Sequence, residues 1–143
     1  MELNVKITID QNSPFLHSNQ DLEDYLVIEN QNIGDRKFND LVVSGALLSL
    51  SHFENVTFCS CVFFATCLEN VSFANCTFIG CKFQFTTLTH CHFANSSLRN
   101  CVWEASNINK SNFYNCEMDF KTSHKLLRGD NRITRDPAYA EAA

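Results

Sequence analysis

Residues 71–100 read VSFAN-CTFIG-CKFQF-TTLTH-CHFAN-SSLRN when the chain is divided into groups of five. The third residue of every group is Phe or Leu, and the first is Val, Cys, Thr or Ser. Both columns continue on either side of this stretch. The large apolar column contains Phe53, Phe58, Phe63, Leu68, Phe73, Phe78, Phe83, Leu88, Phe93, Leu98, Trp103, Ile108, Phe113 and Met118. A five-residue period therefore organises this part of the chain.

A period of five fits neither an α-helix, which repeats every 3.6 residues, nor a plain strand, which repeats every two. It fits a three-residue strand followed by a two-residue corner, with the first and third residues of each group on the inner side. The fifth residue is often Asn or Gly, which tolerate the left-handed backbone of a tight corner. This position contains Asn55, Asn70, Asn75, Gly80, Asn95, Asn100 and Asn115. The chain is therefore predicted to wind as a solenoid.

The same phase extends towards the N-terminus, which sets the predicted domain boundaries. Ile33, Phe38, Val43 and Leu48 are in register, and Ile28 is the earliest plausible member, although Gln31 and Arg36 occupy small-residue positions. We predict a repeat region over 28–119, an N-terminal cap over 1–27 and a C-terminal cap with a polar tail over 120–143. Val5, Ile7 and Ile9 alternate like a short strand in the first cap. The period is expected to stop after Met118, with a short helix over 123–128 ending at Gly129 and a polar tail from Asp130.

Two segments carry a resemblance to a known family. Ala74-Asn75-Cys76-Thr77-Phe78 and Ala94-Asn95-Ser96-Ser97-Leu98 resemble the pentapeptide-repeat family, whose units read approximately A-[DN]-[LF]-x-x. Cys, Ser and Thr stand here where the family often has Ala. The resemblance implies an all-β fold, a right-handed four-sided parallel β-helix with one repeat per side, twenty residues per coil and short caps.

The sequence itself supports the twenty-residue coil, because similar residues recur at that spacing. Phe53, Phe73, Phe93 and Phe113 would stack on one side, and Leu48, Leu68, Leu88 and Ile108 on another. Cys61, Cys81 and Cys101 would form a third column, and Thr66, Thr86 and Ser106 a fourth. Stacked coils require similar residues at equivalent positions, so four sides are expected independently of the family resemblance.

The cysteines are interpreted as packing residues. Six of the eight lie at the inward small position, where thiols pack as small apolar groups. Only Cys59 and Cys67 are predicted to be reactive. Met1 to Lys6 lacks the basic and apolar regions of a signal peptide, and no segment approaches the roughly 20 apolar residues of a membrane span. A cytoplasmic protein with reduced thiols and no membrane span is therefore expected.

Motifs for catalysis or cofactor binding are absent from the sequence, which favours a non-enzymatic protein without cofactors. His90 and His92 flank Cys91, and His52 shares a column with His92. A surface pair without a third ligand predicts no specific metal site. No phosphate-binding loop or catalytic triad order is present.

Five apolar residues break the polar pattern of the outward positions. Most outward residues are Asn, Ser, Thr or Ala, whereas Val62, Phe64, Ile79, Phe85 and Val102 are large and apolar. In the four-sided arrangement they fall on one side or its adjoining corners. Exposed apolar clusters commonly mark interfaces. We therefore predict a scaffold or interaction protein that binds a protein partner, a second copy of itself, or both, through this patch.

The alternative is a DNA mimic that binds or protects a topoisomerase such as gyrase, an activity that the family resemblance implies for some members. Residues 28–119 contain eight acidic and five basic residues. A rod of about 23 Å would need about fourteen negative charges to match B-DNA. The charge is too sparse for close mimicry, and a net charge of −5 for the whole chain disfavours direct nucleic-acid binding. Glu54, Glu69, Glu104 and Glu117 would be the residues that matter in this alternative.

Overall fold

The structure is a computed structural model that describes residues 4–5 and 26–135. The expected N-terminal strand is described only at Asn4–Val5, which pairs antiparallel with Leu41 and Val42. Ile7, Ile9 and the rest of 6–25 lie outside the described residues, as do 136–143. The elements are β1 (Asn4–Val5), β2 (Leu26–Glu29), β3 (Asn32–Asn39), β4 (Leu41–Ser44), β5 (Ala46–Ser49), β6 (His52–Cys59), β7 (Val62–Phe64), β8 (Cys67–Glu69), β9 (Ser72–Ala74), β10 (Thr77–Ile79), β11 (Lys82–Gln84), β12 (Thr87–Thr89), β13 (His92–Ala94), β14 (Ser97–Arg99), β15 (Val102–Glu104), β16 (Asn107–Asn109), β17 (Asn112–Tyr114), β18 (Glu117–Met118), α1 (Phe120–Leu127) and β19 (Arg132–Thr134).

From β2 onwards, each strand pairs in parallel with strands twenty residues away, so the chain stacks into four faces. Face A contains β4, β7, β11 and β15, and face B contains β2, β5, β8, β12 and β16. Face C contains the first part of β3 and β6 with β9, β13, β17 and β19. Face D contains the last part of β3 and β6 with β10, β14 and β18. The predicted four-sided parallel β-helix with twenty residues per coil is confirmed.

The corners lie where the sequence predicts them. Every fifth residue from Asn30 to Asn115 has a positive φ, between 49° and 66°. Most of these residues are Asn, Asp or Gly, which adopt this region at the lowest cost. Most corners also bond to the next coil, as when Asn75 N–H donates to the Ala94 carbonyl at 3.0 Å. The corners therefore close each side and join adjacent coils.

Stacked side chains fill the interior. Ring centroids are 5.0 Å apart between Phe53 and Phe73, 4.7 Å between Phe73 and Phe93, and 4.6 Å between Phe93 and Phe113, with interplanar angles of at most 18°. The predicted aromatic and aliphatic columns are both buried. Because successive rungs are about 4.8 Å apart, like rings stack at the distance favoured by offset aromatic pairs.

The inward small residues do more than fill space. Thr86 Oγ1 donates to the Phe63 carbonyl in the coil below at 2.8 Å, and it lies 3.0 Å from the Gln84 carbonyl. Its own N–H donates to Ser106 Oγ in the coil above at 3.0 Å. Thiols take the same place, since Cys61 Sγ donates to the Phe38 carbonyl at 3.4 Å. Ser, Thr and Cys therefore add side-chain hydrogen bonds between coils that Ala could not make, which the sequence interpretation did not foresee.

The C-terminal end corrects two expectations. The helix α1 begins three residues before the predicted start at 123. The repeat is interrupted by α1 after Met118, but the twenty-residue register returns beyond the helix, because β19 pairs with β17 and places Ile133 beside Phe113. Residues 132–134 are thus a strand rather than part of a polar tail. Asn131 helps to restore this register. Its Oδ1 accepts a hydrogen bond from the Ser111 N–H at 3.1 Å, in the way that the hydroxyl of an inward Ser does in other coils.

Four of the six buried thiols have a raised pKa, which favours their protonated form, whereas a hydrogen bond with Cys81 lowers the pKa of Cys61 and of Cys101. Burial raises the pKa of Cys76 and of Cys91 to about 11. Hydrogen bonds with Cys101 and Cys61, together with burial, raise the pKa of Cys81 far above its usual range. Burial and the charge of Glu69 raise the pKa of the partly exposed Cys67. A raised pKa means less thiolate, the reactive form, at a given pH.

Removing a stacked ring should destabilise the whole rod. Phe83 is 2% exposed and lies between Phe63 and Trp103, with centroid distances of 5.1 and 4.1 Å. Phe83→Ala should lower the free energy of unfolding by about 3–5 kcal/mol, because it deletes a core aromatic and leaves a cavity. Urea denaturation of this variant and of the control Phe64→Ala, which should lose about 1 kcal/mol or less, checks this. Equal losses in the two variants would show that the inner column does not carry the stability.

Alkylation should separate the two kinds of cysteine. In the native protein at pH 7.5 we expect iodoacetamide to modify only Cys59 and Cys67, which are partly exposed, whereas all eight react after unfolding. The rate at Cys67 should keep rising above the pH at which an ordinary thiol levels off, because its pKa is raised. Peptide mass spectrometry measures both rates. Rapid native modification of Cys61, Cys81 or Cys101 would contradict this packing.

Candidate protein-binding surface

The five predicted patch residues lie on face A, at its corner with face B, and at the end of face D that adjoins face A. Val62 and Phe64 are the outward residues of β7, and Val102 is the first residue of β15. Ile79 ends β10 on face D, immediately before the corner that leads to face A. Phe85 occupies the corner between faces A and B. We refer to these five residues as the apolar patch.

Two phenylalanines form the most prominent part of the apolar patch. Phe85 is 61% exposed and Phe64 is 40% exposed. Their rings meet edge to face, with centroids 5.6 Å apart and an interplanar angle of 82°. This geometry is favourable for an aromatic pair. The pair therefore forms an ordered apolar projection that remains open to solvent.

Phe85 has an unfavourable backbone conformation. Its φ is 50°, in the left-handed region, which costs an ordinary residue about 1–2 kcal/mol. The equivalent residues of the same corner in other coils are Gly45, Ala65 and Ala105. The Phe85 N–H still donates to the Glu104 carbonyl at 3.0 Å, so the corner keeps its bond to the next coil. A large apolar side chain thus projects from a corner otherwise built of small residues.

Polar groups border and interrupt the apolar patch. Lys82 lies between Val62 and Val102 in the register of face A. Gln84 lies next to Phe64 in the same register, and its Nε2 donates to Glu104 Oε1. The patch therefore combines apolar surface with one cation and an amide–carboxylate pair, a composition typical of the rim and core of a protein interface.

Several other exposed apolar residues were not predicted from the sequence. Val27 and Leu47 are outward on face B, and Leu50 lies at a corner with a φ of 50°. Their register positions mark them as outward, so the same pattern could have identified them. Phe120 and Leu127 on α1 are also exposed. These two have no signal in the five-residue period, because the helix interrupts it.

The four glutamates of the DNA-mimic alternative do not share a face. Glu104 lies on face A, Glu69 on face B, Glu54 on face C and Glu117 on face D. Glu117 is paired with Arg99, and Glu54 Oε1 lies 3.6 Å from His52 Nε2. Negative charge is consequently spread around the rod rather than arranged in a stripe.

The histidines do not gather into a metal site. His52 and His92 share a column of face C but are separated by Ser72, and His90 lies at a corner. Within residues 26–135, no three side chains of His, Cys, Asp or Glu come together closely enough to hold a metal ion. The one described helix, α1, is too short and too polar to cross a membrane.

Comparison with known proteins places the fold in a family. The family model described as the pentapeptide repeat region matches residues 51–124, slightly more than half of the chain. Among solved structures, that of QnrB1, a plasmid-mediated fluoroquinolone resistance protein, is similar at 12% sequence identity and a TM-score of 0.32, covering 80% of this chain and 85% of that one. The search of curated proteins gives no match. The family match covers both the repeated columns and the corners described above, and the chain therefore belongs to the pentapeptide-repeat family.

Proposed function

We propose that the protein is a non-enzymatic binding module that contacts another protein through the apolar patch on face A. The observation that carries this proposal is the Phe64–Phe85 pair, in which an exposed ring at a strained corner packs edge to face against a second exposed ring. Asn or Gly would fit the same corner at lower cost, as at the corners of Asn75 and Gly80. A residue that lowers the stability of the fold, with no packing contact that compensates for the loss, is typical of a functional site.

The composition and rigidity of the apolar patch support the same function. Aromatic residues are enriched among the residues that dominate binding energy at interfaces. Phe64 is fixed in the strand β7, and Phe85 is fixed by its corner and by the ring of Phe64. A surface that is already ordered loses little conformational entropy on binding. The stacked coils thus act as a rigid support for a preorganised contact.

The DNA-mimic alternative gains no support from the arrangement of the acids. Mimicry of a duplex requires negative charge at regular spacing along one surface. The four glutamates that this alternative requires lie on four different faces, and one of them is paired with Arg99. We therefore favour an apolar contact over an electrostatic one.

The test is to place charge in the apolar patch. Phe64→Glu with Phe85→Glu should abolish partner contact or self-association, because the loss of buried interfacial aromatics costs about 2 kcal/mol or more each. Both side chains are outward, so the free energy of unfolding should change by only about 1 kcal/mol. Sedimentation velocity measures self-association, and affinity capture from the native host followed by quantitative mass spectrometry measures partner contact.

A matched control comes from the same chain. Val27→Glu with Leu50→Glu also charges two exposed apolar positions, one of them at a corner with positive φ, but outside the apolar patch. This control should keep the association state and partners of the wild type. If the patch variant also keeps them, the proposed function is wrong. If both variants lose them equally, the contact is not confined to face A.

A further inference from the structure

A cleft lies between α1 and the last strands of faces A and B. Its volume is about 610 Å³, which is within the range of roughly 300–1,000 Å³ that small-molecule sites occupy. The backbone at the end of face B is already paired, since Asn131 Nδ2 donates to the Ile108 carbonyl at 2.8 Å and Lys110 N–H donates to the Asp130 carbonyl. The cleft therefore offers side chains, rather than a free strand edge, to a ligand.

The side of α1 that borders the cleft is basic along its whole length. Its residues follow the i, i+3, i+4 and i+7 spacing of one helix face, and they are Lys121, His124, Lys125 and Arg128. We refer to these four residues as the basic face. No acidic residue lines the cleft, and within residues 26–135 none of the four forms an ion pair with a carboxylate. The positive charge of the basic face is therefore not neutralised by the described part of the chain.

The stability of the helix does not explain the basic face. Like charges three or four residues apart repel one another, and Lys125 has this spacing from both Lys121 and Arg128. The helix dipole favours a cation in the last turn, but Lys121 lies in the first turn, where a positive charge is unfavourable. The buried residues of α1 are Thr122 and Leu126, so the basic residues are not what packs the helix against the rod. An anion held in the cleft would offset the repulsion.

Trp103 adds an aromatic surface to the same cleft. It ends the aromatic column of face A, where its ring stacks on Phe83 with centroids 4.1 Å apart. The phenylalanines of the inward columns are at most 3% exposed, whereas Trp103 is only partly buried. Its indole N–H donates to Thr122 Oγ1 at 2.9 Å, so its polar group is satisfied and the ring is held in place. A ligand in the cleft therefore meets an ordered aromatic ring beside the basic face.

We propose that this cleft binds a small molecule in which a planar ring carries a phosphate group. The ring would pack against Trp103, and the phosphate would lie against the basic face. The partly exposed indole favours a planar group, and three permanent cations without a carboxylate favour a phosphate, which carries close to two negative charges at neutral pH. The inference goes beyond the proposed function and is independent of it, although Val102 borders both the cleft and the apolar patch.

The size of the basic face favours a small phosphate over a nucleic-acid duplex. Lys121 and Arg128 are seven residues apart, about 10 Å along a helix. A duplex carries one negative charge for about every 1.7 Å of its axis, so this length would present more phosphates than the basic face has cations. The net charge of −5 for the whole chain would also repel a long polyanion. One phosphate group matches the three permanent cations better.

The single tryptophan makes occupancy measurable, because its indole N–H gives one signal in a nitrogen-15 NMR spectrum. We would titrate the full chain with adenosine 5′-monophosphate and with 1-naphthyl phosphate, and then with adenosine and inorganic phosphate as partial probes. At least one ring phosphate should shift the Trp103 signal saturably, and both partial probes should bind at least tenfold more weakly. Tighter binding of the adenosine compound would support a nucleotide ligand, and tighter binding of the naphthyl compound would support another aromatic phosphate.

Two results of this titration would overturn the proposal. One is the absence of a saturable shift with either ring phosphate. The other is equally tight binding of inorganic phosphate, which would indicate an adventitious ion only.

Variants locate the binding site. Lys121→Gln, Lys125→Gln and Arg128→Gln combined should weaken the tighter ring phosphate at least tenfold, whereas the control Lys82→Gln with Lys110→Gln should not. Glutamine is a good helix former, and unchanged NMR signals of the rod verify the fold. If the triple variant does not fold, the exposed Lys121→Gln alone should still weaken binding. An unchanged affinity in the folded variant, or an equal loss in the control, would overturn the proposal.

Discussion

The requirement that each coil return to the same place after twenty residues governs the rest of this structure. Parallel rungs bond to one another only if backbone N–H and carbonyl groups meet at every level. The corners satisfy this requirement because every fifth residue adopts a left-handed backbone conformation. The inward Ser, Thr and Cys side chains reinforce it, because they donate to carbonyls of the coil below. Aromatic stacking follows from the register, since it places Phe above Phe at the rung spacing.

Sequence reasoning recovered this interior because stacking imposes the same demand on every repeat. The apolar column, the corner residues and the twenty-residue segregation of Phe from Leu are all visible without coordinates. The C-terminal end was not recoverable in the same way. There α1 replaces two strands, and single residues such as Asp119 and Asn131 stand in for the missing rungs. These substitutions occur once in the chain, so no repeat marks them.

The outer surface carries less information, for a physical reason. Outward side chains do not pack in the core. The register therefore determines the direction in which each of them points, but it does not restrict the residue type. The five apolar patch residues could be placed from their phase alone, as could Val27, Leu47 and Leu50. The edge-to-face contact of Phe64 with Phe85 and the cleft beside α1 required coordinates. The first depends on a distance across a corner, and the second on a helix that interrupts the period.

Deleting one coil tests the central claim most directly, because a five-residue unit and a twenty-residue unit predict different results. Removal of residues 71–90 joins Asn70 to Cys91 and leaves every later residue on its original face, so Phe93 takes the place of Phe73 above Phe53. Removal of residues 71–80 keeps the five-residue phase but moves all later residues by two faces and places Leu88 above Phe58. Thermal unfolding followed by circular dichroism should show a cooperative, β-rich protein for the twenty-residue deletion and a much less stable one for the shorter deletion. Equal stability of the two variants, or failure of only the twenty-residue deletion to fold, would contradict the coil as the structural unit.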